Sequence, residues 1–588
     1  MDKTERLKIS AYYIVPLLLV LVIQCCFVAR KEGYHMDELL SFELSNAEYN
    51  PWIVPTQPVG RLAKFIHEEI EGETFQETLS NLADTVADVL NNRGSSKILQ
   101  YKADVYEEPV WITAEQFEQY LTVNEKDSFN YFSVYFNVND DNHPPLHFML
   151  LHTVSSLFKN KINPFIGCII NIGAILGCCL LFLSMGAFLE EKTLLPENTG
   201  RLYGICSCIL YGVSSGAVAT ALLIRMYGVL TFFCTALFYI HVKKYFGDGF
   251  EKKNRLLIII TVLGFLTQYF FLFYCFGLAI VTVALLIKNG RIKELKKYIC
   301  SMLVSAMIGV LVYPFSISDV FSSGRGVEAL GNLRSGFGDY GYRLFTFGSI
   351  LLKGCFGRPI YGIVVILILA IVLSIALFLR NKKNTCEKKT ERNTFLLLLI
   401  IPVILYFLLA AKTSPYLVDR YIMPLFPFSA LILTQLLSTV CLQTGKTGRY
   451  LILVPVILTG IINVAAYDGE YLYKGYKDQL AIAEEYKDLS CICLYDGYGY
   501  YYNLLEFTEY GETLLLKLPE LEQRQDTSAL TRTDKIVVLR KSEVDEENTL
   551  KALRLYGWEV EDILISPEDS VYGDTVYLCV RNAEYQDH

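Results

Sequence analysis

Apolar positions along this chain fall in long runs separated by polar or basic connectors. The runs cover approximately residues 11–29, 164–189, 202–222, 226–245, 255–271, 272–287, 298–318, 358–380, 394–411, 421–441 and 449–466. Most have the length of about 17–25 residues that a bilayer-crossing helix needs, and the pattern predicts eleven transmembrane helices. Residues 30–142, between the first two runs, are polar and charged, with a helical patch at 75–91; a connection this long is usually functional. Residues 143–158 are short and only moderately apolar, and they open on Pro144-Pro145 and carry His147 and His152. They are predicted as a half-immersed helix on the loop side, not a span. Residues 319–357, with Gly324, Gly326, Gly331, Gly336 and Gly338, are predicted as a second external, mobile loop. From about residue 468 the pattern is that of a soluble segment. Strand-like runs at 491–495, 535–539 and 575–580 alternate with helical patterns at 476–488 and 547–556, predicting a small C-terminal α/β domain. It has no Gly-rich phosphate loop. The division expected is a membrane module over 1–466, with external segments 30–163 and 319–357, and an external soluble domain over 467–588.

Charge orients this arrangement. If 143–158 does not cross, the strongly basic connectors within 243–255, 288–297, 380–392 and 446–449 all share the side of the N-terminus, as the positive-inside rule requires. The N-terminus is then cytoplasmic, the C-terminal domain is external, and the plasma membrane is the expected location of this multi-pass chain. No small-residue cleavage site follows the first run, which therefore reads as an uncleaved anchor. The residues are 53% hydrophobic, which a soluble chain of this size rarely reaches. A net charge of −8, without a basic stripe, gives no footing for a nucleic-acid partner. The 40 Tyr and 35 Phe suit membrane interfaces. Most of the 16 Cys lie inside apolar runs, and no CxxC pair occurs; no disulfide framework is expected.

Candidate chemistry collects at the expected external ends of the spans. Asp37 and Glu38 follow the first run, and a carboxylate beside a desolvating membrane face is suited to general-base work. Asp141 and His143 stand where the long loop re-enters, beside the rigid Pro144-Pro145. Arg225 with Tyr227, and Arg420 with Tyr421, lie at tight span boundaries and suit a phosphate clamp, because guanidinium–phosphate bonds are strong where water is sparse. Gln268 and Tyr269 end another span on the same side. Taken singly, Asp37 reads as a solvated loop acid, His143 as a helix-start residue, and each arginine as a side chain snorkelling to headgroups. Three functions stay open on the residues alone: a membrane glycosyltransferase, a transporter or flippase for a lipid-linked glycan, and a glycan polymerase or ligase. The absence of a clear internal repeat argues against the transporter.

The ordered set Asp37-Glu38, Asp141-Asn142-His143-Pro144-Pro145-Leu146, Arg225-Met226-Tyr227, Thr267-Gln268-Tyr269-Phe270 and Arg420-Tyr421 resembles the polyprenyl-phosphate-sugar-dependent glycosyltransferases of the C-type membrane fold, among them the protein O-mannosyltransferases and aminoarabinose lipid A transferases. The resemblance covers about residues 1–466. It implies an inverting transferase on the external face. Asp37 would deprotonate an acceptor hydroxyl and Glu38 would assist in positioning, while Arg225 and Arg420 hold the donor phosphate. The remaining residues, Asp141, His143, Tyr227, Gln268, Tyr269 and Tyr421, would line the substrate cavity. The acceptor would be a glycan, lipid or protein. Some C-type relatives use a divalent cation and others do not, so the resemblance implies no fixed cofactor. Many relatives have His where this chain has Gln268.

Overall fold

In hydrocarbon, backbone N–H and C=O groups must pair within their own segment, so the apolar runs emerge as helices. The computed structural model describes residues 3–56, 60–92, 96–98, 108–139, 141, 143–197, 199–247, 254–321, 323–368, 387–441, 452–523 and 533–582. Helices Pro164–Glu191, Phe271–Lys288, Ile292–Val312 and Thr390–Thr413 are long and apolar enough to cross a bilayer. Among the described residues, two bent pairs raise this to six: Gly200–Gly212 with Ser215–Leu222, bent by 58°, and Tyr340–Phe356 with Pro359–Ile368, bent by 80°. Tyr13–Val28, Asn254–Phe265, Met423–Ser438 and Leu453–Ala466, also expected to span, are shorter apolar helices. The run expected at 358–380 is helical to residue 368, and its remainder, like residues 449–451, lies outside the described residues. Helix Leu146–Leu157 has 12 residues. At 1.5 Å per residue it reaches about 18 Å, too short for a hydrocarbon core of about 30 Å.

Contacts divide the chain into two compact units. One comprises Met1–Arg30, Asn142–His147 and Gly167–Glu470. Its first helix, α1 (Lys3–Val28), packs on the helix ending at Gly212, where Gln24 Nε2 donates to Gly212 O at 2.8 Å. A side chain at Gly212 would drive into Val20, so glycine is what lets these helices approach. The chain then bends because Ser214 caps a new helix, its Oγ accepting from Ala217 N–H at 3.1 Å. The donors freed at this break find Asn463, buried in an otherwise apolar helix. Its Oδ1 accepts from both the N–H and Oγ of Ser215 at 2.9 Å, and its Nδ2 donates to Cys355 O at 2.9 Å. A polar side chain is retained in the apolar interior because it satisfies backbone groups of two other elements.

The glycine-rich stretch predicted as a mobile loop is instead largely helical, as Ser316–Phe321, Gly324–Arg334 and Tyr340–Phe356. Lys412 supplies the reason. Its Nζ donates to Ser335 O, Ser335 Oγ and Gly336 O at 3.1, 3.0 and 2.7 Å, while Arg343 Nε donates to Ala411 O at 2.7 Å. These bonds satisfy the carbonyls at one helix end and tie the segment to helix Glu387–Thr413.

The second unit comprises Lys31–Asp141, Phe148–Ile166 and Tyr471–His588. Its centre is a six-stranded sheet of order β1-β3-β2-β4-β6-β5. The strands are β1 (Trp111–Thr113), β2 (Cys491–Leu494), β3 (Glu512–Leu516), β4 (Lys535–Arg540), β5 (Trp558–Ile565) and β6 (Thr575–Arg581). β2 runs parallel to β3 and β4, and the other pairings are antiparallel. β2 and β4 are buried on nearly every residue, as parallel central strands are. Ile492, Leu514, Val538, Trp558 and Tyr577 belong to the core, each such side chain contributing about 1.5–3 kcal/mol on burial. β1 comes from the first polar loop and pairs with β3 in the register Trp111↔Leu514. The first loop and the C-terminal segment therefore build one sheet. The helix following β1 seats Phe117 against Phe507, with ring centroids 5.2 Å apart.

Candidate functional site

Asp37 and Glu38 open α2 (Met36–Asn46) in the second unit, and the local sequence explains their fixed geometry. His35 is the N-cap, its Nδ1 accepting from Asp37 N–H at 3.1 Å. Glu38 closes the capping box by accepting from His35 N–H at 2.7 Å, so two orphan donors of the helix end are satisfied reciprocally. Glu38 also accepts from Lys31 Nζ at 2.9 Å, and both side chains are fully buried. Lys31 donates in turn to Tyr471 O at 2.8 Å and lies over the rings of Tyr473 and Tyr34. The two neighbouring acids therefore differ sharply. Glu38 is committed to an ion pair and a cap, whereas the Asp37 side chain keeps 21% of its surface open, with Oδ2 at 3.6 Å from His35 Nδ1.

Asp141 belongs to the same unit. It is buried just after helix Tyr131–Val138, its N–H donating to Val138 O at 3.0 Å. Asp140 and Asn142 lie outside the described residues.

The remaining candidates belong to the first unit. Arg225 occupies the short break between Ser215–Leu222 and Tyr227–Phe246, and its residue is 4% exposed. Arg225 N–H donates to Leu223 O at 2.7 Å, and the same carbonyl accepts from Asn171 Nδ2 at 2.6 Å. Asn171 sits in an apolar helix and carries no local signal of this task. His147, in helix Leu146–Leu157, is fully buried within electrostatic reach of Arg225 and His143; burial first, then those two neighbours, push its pKa down to about 3. A neutral imidazole beside Arg225 adds no competing positive charge.

Tyr227, Phe270 and Tyr421 form an aromatic wall. Tyr421 stacks on Phe270 with centroids 5.3 Å apart and meets Tyr227 edge-on at 6.3 Å. Arg420 precedes Tyr421 on a single 3-10 turn, and Tyr406 Oη holds that turn by donating to Tyr421 O at 2.9 Å. The Tyr269 hydroxyl donates to Asp319, buried in the segment 319–357, at 2.5 Å. Gln268 is buried beside it, and its carbonyl accepts from Phe271 N–H at 3.0 Å.

Within each unit the predicted residues thus form local groups: Asp37 with Glu38 in one, Tyr227 with Tyr421 in the other. Lys31, Asn171, Asp319 and Tyr406 were absent from the sequence-derived set, because no local pattern marks the partner of any of them. Among the described residues, no group of three or more His, Cys, Asp or Glu side chains is placed to hold a metal ion.

The long apolar helices define the class: this is a multi-pass membrane protein. No protein family and no curated protein matches the chain. Among solved structures it is similar to ArnT from Cupriavidus metallidurans bound to undecaprenyl phosphate. That similarity has a TM-score of 0.46 and 10% identity over 74% of this chain and 88% of that one. The apo state of the same protein gives a TM-score of 0.44 and 9% identity over 78% of this chain and 93% of that one.

Proposed function

We propose that this protein is an integral-membrane inverting glycosyltransferase that moves a sugar from a polyprenyl-phosphate donor to an acceptor hydroxyl on the external face of the plasma membrane. The observation that carries the reading is the split between the two acids. Glu38 is buried and fixed, and Asp37, held at a capped helix start, keeps an accessible carboxylate. That is the arrangement a general base needs: fixed position and open approach.

In this reaction Asp37 takes the acceptor hydroxyl's proton as its oxygen attacks the anomeric carbon. The bond from that carbon to the phosphate oxygen breaks, and polyprenyl phosphate leaves with the electron pair. One displacement inverts the anomeric centre. Negative charge grows on the leaving phosphate, so fixed guanidinium groups lower the barrier; Arg225 and Arg420 take this role. The ring faces of Tyr227, Phe270 and Tyr421 suit the apolar face of a sugar or the first isoprene units. The acceptor is a cell-envelope glycan, lipid or protein hydroxyl. The basic connectors on the N-terminal side support an external site, where a donor already carried across the membrane replaces a cytosolic nucleotide sugar.

The test is release of polyprenyl phosphate from synthetic polyprenyl-phosphate sugars by purified protein, with a cell-envelope extract as acceptor. Asp37→Asn is expected to lower turnover by about 10²–10⁴-fold at unchanged expression. Arg420→Ala is expected to weaken polyprenyl-phosphate binding by about 10–100-fold, the loss of a charge-assisted bond. Saturable lipid binding without release of any common sugar would instead support a flippase and call for a vesicle flipping assay.

A further inference from the structure

The C-terminal domain meets α2 through one particular edge of its sheet. β2 and β4 are parallel neighbours, so their carboxyl ends lie together. Open α/β sheets carry their working residues at that edge. Here it bears Tyr502, on the turn after β2, and Lys541, immediately after β4. Asp574 precedes β6, which is antiparallel to β4, and so stands at the same edge. Lys541 Nζ donates to Asp574 Oδ2 at 2.7 Å and to Asn503 Oδ1 at 2.8 Å, and the ion pair is buried. The same ammonium lies 5.4 Å from the Tyr502 ring centroid and 5.7 Å from that of Tyr572, and the two rings are 4.8 Å apart. The cation therefore anchors the pair of phenols.

Both phenols reach the residues immediately before Asp37. Tyr572 Oη donates to Tyr34 O at 2.7 Å. Tyr502 Oη lies 3.4 Å from His35 Nε2, and the two rings meet edge-on at 5.5 Å. His35 Nδ1 is already accepting from Asp37 N–H. In a neutral imidazole the proton is then on Nε2, which donates to the tyrosine oxygen. The Asp37 N–H selects that tautomer, and Tyr502 meets its free N–H and the edge of its ring, a contact that restrains the ring plane of the side chain capping Asp37.

We propose that Tyr502 of the C-terminal domain is a positioning residue for the Asp37 carboxylate, acting through His35. This rests on the reading of Asp37 as base. The domain's role is then to complete the base's setting, in addition to any contact with acceptor.

A double-mutant cycle in the full-length protein tests this, with the polyprenyl-phosphate sugar that wild type turns over and a cell-envelope extract as acceptor. Tyr502→Phe keeps the ring on Lys541 and removes the hydroxyl. His35→Asn keeps an N-cap acceptor and removes the reach to Tyr502. Each is expected to lower kcat by about 10–100-fold, the cost of a small misplacement, at unchanged donor KM and polyprenyl-phosphate affinity. The double variant is expected to be no slower than either single one, and Tyr502→Phe is expected to add nothing in the Asp37→Asn background. Wild-type kcat in Tyr502→Phe, or additive losses in the double variant, with Asp37→Asn slowed as expected, would overturn this inference alone. Full turnover by Asp37→Asn, or no donor turned over by wild type, would overturn the base assignment and this inference with it.

Discussion

At the scale of single residues, two adjacent carboxylates have opposite surroundings. Glu38 shares a wholly buried ion pair with Lys31 and accepts from His35 N–H. Removing one partner of such a pair leaves an uncompensated buried charge, at a cost of about 3–5 kcal/mol. Glu38→Gln is therefore expected to lower the melting temperature of the purified protein and its yield, whereas Asp37→Asn is expected to leave both unchanged and to lower turnover. Thermal unfolding of the two variants side by side checks this, and equal melting temperatures would remove the distinction. The family resemblance already implies different parts for the two acids, Asp37 as base and Glu38 in positioning, but how their surroundings come to differ is not legible in the sequence. It is decided by Lys31, seven residues before Glu38, and by the carbonyl of Tyr471, 440 residues after Lys31. Arg225 was expected between two apolar runs and lies in a break between two helices, whereas Asn171, which donates to Leu223 O, looks like any buried helix residue.

At the scale of elements, the turn and short helix after β2 carry a further consequence. Glu506, in helix Leu504–Phe507, is fully buried, and its pKa rises from 4.5 to about 7, chiefly through desolvation. Asn503 Nδ2, donating at 2.9 Å, and Lys541 oppose the rise, while Asp574 adds to it. Between those two pH values the folded chain binds more protons than the unfolded one, so stability falls as pH rises through the window. The slope is about 1.4 kcal/mol per pH unit for one group, or about 3 kcal/mol in all. Burial also pushes Glu43 up, which adds to the same trend. Wild type is expected to melt several degrees lower at pH 7.5 than at pH 5, and Glu506→Gln to lose much of that difference. Identical pH dependence in the two proteins would show that Glu506 ionises without penalty. Elements with a strong local pattern were readable in advance. The strand runs near 491, 535 and 575 appear as β2, β4 and β6. The helices of 316–356 were hidden by their glycines, because Lys412 and Arg343, donors to backbone carbonyls, are what stabilise that segment. β1 has three residues and becomes a strand only because β3 offers an edge.

At the scale of the whole molecule, the polar loop and the C-terminal segment are inseparable, although nearly the whole membrane module lies between them in sequence. β1 pairs with β3, Phe117 packs on Phe507, and Glu32 accepts from Gly475 N–H at 2.7 Å. Glu32 N–H donates to Leu472 O at 2.8 Å, and Lys31 donates to Tyr471 O at the same distance. Ending the chain at residue 470 would strip these partners together, leaving β1 as an unpaired edge and apolar side chains of the loop in water. A detachable specificity domain would, on removal, change acceptor choice and spare donor turnover. This architecture predicts a different outcome. The truncated protein is expected to lose transfer entirely, and residues 31–141 are expected to become sensitive to protease, while helices such as Pro164–Glu191 and Phe271–Lys288 stay protected in the membrane. Limited proteolysis of both proteins in membranes, with the cut sites read by mass spectrometry, distinguishes the two. Protection of 31–141 in the truncated protein, together with retained donor turnover, would mean that the loop holds its fold and sets Asp37 without the C-terminal sheet.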